Sequence, residues 1–425
     1  MLTLNYFSEL KEKTIEGLKK RNWDYERLAW VEKAAVLDLE RKDIQTDLDN
    51  LKSEVNIASK EIGTLMREGK LQEVENIKNK VAVNKSKITE LEDRSRQNKE
   101  ELQEILYKIP NIPHSTVPPG KSSDDNEIFK SWDKPMPDLY SGAIPHWELA
   151  EKYNLFDLKL GVKITGAGFP LYRGKGAKLQ RALIQFFLDQ ATAAGYEEII
   201  PPLLVNADTA TATGQLPDKD GQMYYCDKDN LYLIPTAEVP VTNILRDEIV
   251  DEKSLPLKFC GYTPCFRREA GSYGADVKGL NRVHQFDKVE IVRVEHPEKS
   301  YEALNEMLDH VSGLLDKLEL PYRILKLCGG DMGFTSALTY DFEIFSAAQK
   351  KWLEVSSVSN FETFQSNRLK LRFKSGGKTQ LAHTLNGSAL ALARIVAGLL
   401  ENHQTEKGIL IPKALIPYTG FSIIE

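Results

Sequence analysis

The sequence predicts an α+β protein in two parts. The first is an N-terminal antiparallel two-helix coiled-coil arm, and the second is built on an antiparallel β-sheet flanked by helices. Three observations carry this prediction. A seam of mostly apolar residues at helical spacing runs from Trp30 to Ile105 and is interrupted once, at a glycine. A cluster of proline, glycine, serine and aspartate follows it at 110–127. Beyond that cluster, short β-like runs and helical stretches are interspersed without repeated parallel βαβ units.

The seam comes first along the chain. Positions 30, 34, 37, 41, 44, 48, 51, 55, 58, 62 and 65 follow alternating steps of four and three, and only Arg41 among them is charged. REGK at 67–70 breaks the pattern. It resumes at Val74, Ile77, Val81, Asn84, Ile88, Leu91, Ser95, Asn98, Leu102 and Ile105. This is a coiled-coil seam, and neither helix can hide its stripe alone. A short glycine-containing turn then makes an antiparallel hairpin. A helix of about 36 residues spans roughly 54 Å at 1.5 Å per residue. Asn84, Ser95 and Asn98 weaken the seam and are expected to fix its register.

Residues 78–99 hold Lys78, Lys80, Lys85, Lys87, Arg94, Arg96 and Lys99 against Glu90, Glu92 and Asp93, a local net charge of +4. Over 27–107 the balance is 15 basic to 17 acidic residues. Taken alone, the arm is open to three readings: RNA contact, protein contact, or a solvated hairpin.

PNIPHSTVPPGKSSDDNE at 110–127 reads as a linker. After it, LYLIPTAEVPV, KVEIVRV and KWLEVSSV look like strands, and GAKLQRALIQFFLDQATAAG looks like a helix. No GxxxxGK[ST] loop is present, so a doubly wound nucleotide fold is not expected.

Composition bounds the class. A chain of 425 residues has room for more than one domain. Apolar residues at 41% and charged residues at 28% fit a folded, soluble protein. Four cysteines do not make a disulfide framework, and Cys260 and Cys265 have no partners at zinc-ligand spacing. MLTLNYFSELKEKT carries acids and lacks a secretory pattern, and no apolar run reaches membrane-spanning length. A cytoplasmic protein with no membrane partner is expected. The net charge of −6 neither points to nucleic acid nor excludes it, because a local patch can act on an acidic protein.

Charges inside apparent strands raise the functional question. In RVHQFDKVE (282–290), strand alternation puts Arg282, Phe286 and Glu290 on one face. In CFRRE, Arg267 and Glu269 share a face, while Phe266 and Arg268 take the other. SYGADVKG between these segments reads as a loop. An arginine fork suits phosphate oxygens, a phenylalanine offers a flat surface to a purine, and a carboxylate holds an ammonium. A cross-strand ladder of ion pairs on a wet face is the alternative. Glu354 in LEVSSVSNF sits in a strand that wants burial, so it needs a partner, and a hard cation is one candidate. Glu354 and Ser357 have opposite strand parity, so sharing one ligand requires a bulge or a strand end between them. NGSALALARIVAGLLEN (386–402) reads as a polar entrance to a buried helix. Arg394 is expected about two turns into it, facing either an internal acid or a phosphate.

These residues are similar to those of the bacterial-type seryl-tRNA synthetases, within the class II aminoacyl-tRNA synthetases. GYEEIIPPLLV (195–205), with Pro201 and Pro202, resembles the first class motif, a helix entering a strand at a dimer interface. FRRE (266–269) with RVHQFDKVE resembles the second, and GSALALAR (387–394) the third. TAEVP (236–240), LEVSS (353–357) and the helical arm make the resemblance specific to serine. It covers essentially the whole chain: 1–109 as a tRNA-binding helical hairpin domain, 110–127 as a linker, and 128–425 as a class II catalytic domain.

The resemblance implies ATP as cosubstrate, bound by Arg267, Arg268, Glu269, Arg282, Val283, Phe286, Glu354, Val355, Ser356, Ser357 and Arg394. Arg267 would meet the α-phosphate and the reacting carboxylate. Glu269 would position the adenylate end, and Phe286 would stack on adenine. Arg282 and Arg394 would hold the outer phosphates, and the backbone at Val283 would meet the purine edge. Mg2+ would sit on Glu354 and Ser357. L-serine would lie among Thr236, Ala237, Glu238, Arg267, Glu290, Asn386 and Ser388, with Glu290 facing its ammonium. Arg267, Glu269 and Arg394 are the implied catalytic residues. The implied partners are tRNA(Ser), also tRNA(Sec), and a second copy in a homodimer. Asn281 stands where the family more usually has an apolar residue. A relative that loads a carrier protein, a scaffold with a degenerate body, and a class II enzyme for another amino acid are the competing readings.

Overall fold

The computed structural model describes residues 1–218, 221–270 and 278–425. Most of the expected loop SYGADVKG, residues 271–277, therefore lies outside the described residues. The chain divides into two compact units: Met1–Lys19 with Trp23–Pro110, and Lys20–Asn22 with Asn111–Glu425.

The first unit is dominated by α1 (Tyr25–Arg67) and α2 (Leu71–Lys108). At 43 residues, α1 is longer than the seam alone implies. Asp24 caps it by accepting the Arg27 amide at 2.8 Å, so the helix begins one turn before the first seam residue. The turn passes through Gly69 at φ 76°, a left-handed conformation that glycine adopts without strain. Every seam position on both helices is buried or half-buried. The two seam asparagines reach across the hairpin. Asn98 Nδ2 donates to the Leu37 carbonyl and to Glu40 Oε2, both at 3.2 Å, and Asn84 Nδ2 donates to Glu54 Oε2 at 3.0 Å. Polar residues buried in a seam weaken it and restrict its register. The seven cations of 78–99 are all exposed.

The second unit holds an eight-stranded sheet. Its strands are β1 (Glu127–Ser131), β2 (Glu197–Glu198), β3 (Leu257–Phe266), β4 (Gln285–Glu295), β5 (Tyr322–Lys326), β6 (Leu338–Ser346), β7 (Lys351–Asn360) and β8 (His383–Ala391). Their spatial order is β1-β5-β6-β7-β8-β4-β3-β2. Every neighbouring pair is antiparallel except β2 with β3. The helices that matter here are α3 (Gly174–Ala193), α4 (Glu238–Thr242), α5 (Ser300–Lys317), α6 (Thr363–Leu369) and α7 (Leu392–Asn402). Phe187 of α3, Val311 of α5 and Ile395 of α7 join Val289, Ile291, Phe342 and Val358 of the sheet in one apolar core. Since side chains alternate along a strand, the residues between these core positions face away from it.

Several expectations change. The expected strand LYLIPTAEVPV is strand only at Leu231–Leu233. Glu238–Thr242 is a helical turn, which tolerates Pro240 because a first-turn N–H has no intrahelical partner anyway. GSALA is not a helix entrance but the end of β8, clamped between β7 and β4, where strand pairing overrides the helix preference of Ala and Leu. The segment after Pro110 is irregular yet firmly held. Asn111 Nδ2 donates to the Thr335 and Phe361 carbonyls, and Arg21 Nε donates to the Asn111 carbonyl at 2.7 Å. Among the described residues no helix is long and apolar enough to cross a membrane.

Candidate active site

A cavity of about 530 Å³ opens on the face of the sheet opposite the apolar core. It receives Thr236, Glu238, Arg267, Glu269, Arg282, Val283, Phe286 and Glu290, then Glu354, Val355, Ser356 and Ser357, and finally Asn386, Ser388 and Arg394. Two of the sequence candidates do not reach it. Ala237 is fully buried beneath it. Arg268 is exposed, and its amide donates to the Gln222 carbonyl at 2.9 Å.

One cluster is built on β4, β8 and α4. Phe286, Lys288 and Glu290 take the same face of β4 by period-two alternation. Ser388 of β8 lies directly opposite Glu290, and Asn386 is two residues away on the same face. Glu290 and Lys288 are almost fully buried and paired with each other. Lys288 Nζ donates to Thr236 Oγ1 at 2.7 Å, and Thr236 Oγ1 donates to Glu290 Oε2 at 3.3 Å. Glu238 accepts from Gln365 Nε2 of α6 at 2.6 Å. Its carboxyl is pushed up to about 7, first by burial and then by the charge of Glu290.

A second cluster surrounds the entry to β4. The expected strand alternation fails here, because β3 ends at Phe266 and β4 begins at Gln285. Arg267, Glu269 and Arg282 are therefore placed by the loop. Glu269 sits at φ 48°, which turns its carboxylate toward Arg282, 3.3 Å from Nη1. The Arg267 guanidinium lies 5.3 Å from the centre of the Phe286 ring, and its Nε donates to the Pro235 carbonyl at 3.2 Å.

A third cluster joins β7 to α7. The β6–β7 register runs Asp341 to Ser357 and Phe342 to Ser356, then jumps to Glu343 opposite Glu354. Val355 is thus the extra residue of a β-bulge, and the bulge brings Glu354 and Ser357 to the same side despite their opposite parity. Ser357 Oγ is 3.5 Å from Glu354 Oε1. Asp341 lies beneath them with Oδ1 buried and unpartnered, and burial followed by the Glu354 charge holds its carboxyl well above the carboxylate range. Arg394 is not two turns into its helix but in the first turn, and it is only half-buried. Among the described residues it meets neither an acid nor deep core. Instead Nη1 donates to the Glu354 carbonyl at 2.6 Å and Nε to the Asn281 carbonyl at 2.7 Å.

Sequence reasoning missed three contributors and the support around Asn281. Lys288 was findable, since it shares its parity with Phe286 and Glu290. Asp341 needed the β6–β7 register. Gln365 and the support around Asn281 give no local signal. Asn281 Nδ2 donates to Gln349 Oε1 at 2.9 Å, which accounts for an amide at this position. The next residue back, Leu280, donates its amide to His146 Nε2 at 2.8 Å, and His146 Nδ1 is 2.6 Å from Glu401 Oε1.

Residues 224–403 match the family model described as the tRNA synthetase class II core domain (G, H, P, S and T), and residues 1–113 match the seryl-tRNA synthetase N-terminal domain. The chain is 52% identical over 391 residues to the serine–tRNA ligase of Salinibacter ruber, covering 91% of each. It is 44% identical over 429 residues to that of Chlorobaculum parvum, covering 100% of each. The crystal structure of the Pyrococcus horikoshii seryl-tRNA synthetase complexed with ATP superposes with a TM-score of 0.93 at 33% identity, over 100% of this chain and 99% of that one.

Proposed function

The chain belongs to the seryl-tRNA synthetases, and from that premise we propose that it joins L-serine to tRNA(Ser) in two steps driven by ATP. The observation that carries this reading is the convergence of Arg267, Arg282 and Arg394, the Phe286 ring and the Glu238–Glu290 carboxylates on one cavity. Cationic forks suit a folded triphosphate, and the carboxylates suit an ammonium.

In the first step the serine carboxylate attacks the α-phosphorus, the bond to pyrophosphate breaks, and seryl-adenylate forms. A carboxylate is already a nucleophile, so no general base is required. Catalysis is positioning plus charge neutralisation. Arg267 holds the reacting carboxylate against the α-phosphate, with Glu269 at the adenylate end and Phe286 under the adenine. The backbone at Val283 meets the purine edge. Arg282 and Arg394 take the outer phosphates. Thr236, Glu238, Glu290, Asn386 and Ser388 hold serine. In the second step the 3′-terminal adenosine hydroxyl of the tRNA attacks the activated carbonyl, and AMP leaves.

Glu354 and Ser357 would hold Mg2+, since both offer hard oxygen donors brought together by the bulge, with the unpartnered Asp341 Oδ1 behind them. Bound there, it would supply positive charge beside the phosphates.

Residues 1–109 are read as the tRNA-binding domain, joined by 110–127 to a catalytic domain at 128–425. The exposed basic run on α2 suits an RNA backbone, recognised by shape more than by base. The family resemblance extends the reading to tRNA(Sec). A homodimer is proposed for the edge beyond β2, where Ile200, Leu203 and Leu204 are exposed apolar residues within the first class motif. A cytoplasmic location without membrane attachment completes the reading. The test is ATP–pyrophosphate exchange with serine, threonine, alanine and glycine. Exchange strongly favouring serine is expected. Equal exchange with alanine would end the serine assignment, because a site built to pair a hydroxyl leaves buried groups unpaired without it.

A further inference from the structure

Lys288 has no part in the chemistry above, yet it sits at the centre of the cluster assigned to serine. It is 5% exposed and Glu290 is 2% exposed. A lysine this deep has given up nearly all its water, so its partners must replace that water. They do so in one closed arrangement. Lys288 Nζ donates to Thr236 Oγ1 and pairs with Glu290 Oε2. Thr236 Oγ1 also accepts the Glu238 amide at 3.2 Å and donates to the same Oε2 at 3.3 Å.

A hydroxyl has one proton and two lone pairs, and here all three are used. The Thr236 hydroxyl therefore cannot turn to accept from an incoming ammonium, and its orientation is set by protein alone. Both contacts to Glu290 fall on Oε2, so Oε1 is the oxygen that neither Lys288 nor Thr236 engages.

We propose that Lys288 is a positioning residue for the amino-acid substrate. It pins Thr236 and one oxygen of Glu290 so that Oε1 receives the substrate ammonium. The serine carboxylate is balanced separately by Arg267. Without the lysine, the buried Glu290 loses its cationic partner and Oε1 is no longer held toward the substrate. This inference rests on the serine reading of the pocket.

The test measures serine-dependent ATP–pyrophosphate exchange in the wild type, Lys288→Met and Lys288→Arg, with thermal unfolding of each protein alongside. Lys288→Met is expected to raise the serine KM by about tenfold to a hundredfold, the value of one charge-assisted hydrogen bond, with the ATP KM nearly unchanged. Lys288→Arg, which keeps the charge and the donors, is expected to recover most of the loss. Inhibition by 3-hydroxypropionate, which is serine without its amine, is expected to be no weaker in Lys288→Met than in the wild type, because the lysine acts on the ammonium. Should Lys288→Met fail to fold, Lys288→Gln is measured with the same expectation. An unchanged serine KM, or serine and ATP KM rising by one common factor, overturns the proposal. Failure of the wild type to exchange with serine would instead remove the reading of the pocket, whatever the variants do.

Discussion

Arg394 donates Nη1 to the Glu354 carbonyl at 2.6 Å and Nε to the Asn281 carbonyl at 2.7 Å. One guanidinium thereby ties α7 to β7 and to the segment entering β4. These acceptors are neutral, and a phosphate oxygen is a stronger one. Arg394→Lys keeps the charge and loses the fork. It is expected to raise the ATP KM about tenfold or more while leaving the serine KM near its original value. An unchanged ATP KM would detach Arg394 from the phosphates.

Arg267→Ala is expected to reduce ATP–pyrophosphate exchange to near background with little change in unfolding temperature. The side chain is half-buried at the cavity wall, and its loss opens no core void. Near-normal exchange would refute its role at the α-phosphate.

Deletion of residues 30–105 with a short glycine bridge is expected to spare adenylate formation and abolish tRNA charging. The two units have their own cores. Aminoacylation that persisted with undiminished tRNA affinity would sink the assignment of the arm.

Glu238 has its carboxyl raised from an ordinary 4.5 to about 7, chiefly by burial. The fold thus favours the neutral acid. The stability this group contributes is complete below pH 4.5 and is lost as the pH rises through about 7. Glu238→Gln is neutral throughout, so its stability relative to the wild type should improve by about 1–3 kcal/mol between pH 5 and pH 8. Urea unfolding at the two pH values measures this, and a constant difference would contradict it.

Glu401 shows the opposite sign. Burial alone would raise its carboxyl, but hydrogen bonds from His146 and Ser346 and the His146 charge hold it below the usual range. Its contribution is present above the ordinary carboxylate value and is lost as the pH falls through the depressed one. His146→Ala removes one partner of a fully buried pair and is expected to cost about 3–5 kcal/mol in denaturant unfolding. A loss below about 1 kcal/mol would show that water or Gln349 replaces the imidazole.

The parts of this molecule that sequence disclosed are those decided locally. The hairpin was legible because each helix hides its stripe in the other, so periodicity alone determines the contact. Phe286 and Glu290 were legible by strand alternation inside β4. The same rule failed for Arg267, Glu269 and Arg282, which lie past the strand ends. Where a strand stops is set by its partner's length and by the left-handed backbone at Glu269, and neither is written locally. Asn386–Ala391 was misread because Ala and Leu prefer a helix, and two neighbouring strands overrule them. The buried support behind the site, with His146 and Glu401 255 residues apart, has no trace in any short window.

The extra residue in β7 has a consequence beyond this chain. Glu-x-x-Ser, spaced by three, is the signature of one face of a helix, yet here it belongs to an extended strand whose count has slipped by one. A scan for paired oxygen donors that insists on even intervals in strands would discard this pair, and one that trusts the interval of three would wind the segment into a helix. Irregular pleats of this kind therefore hide ligand corners from pattern searches in both directions.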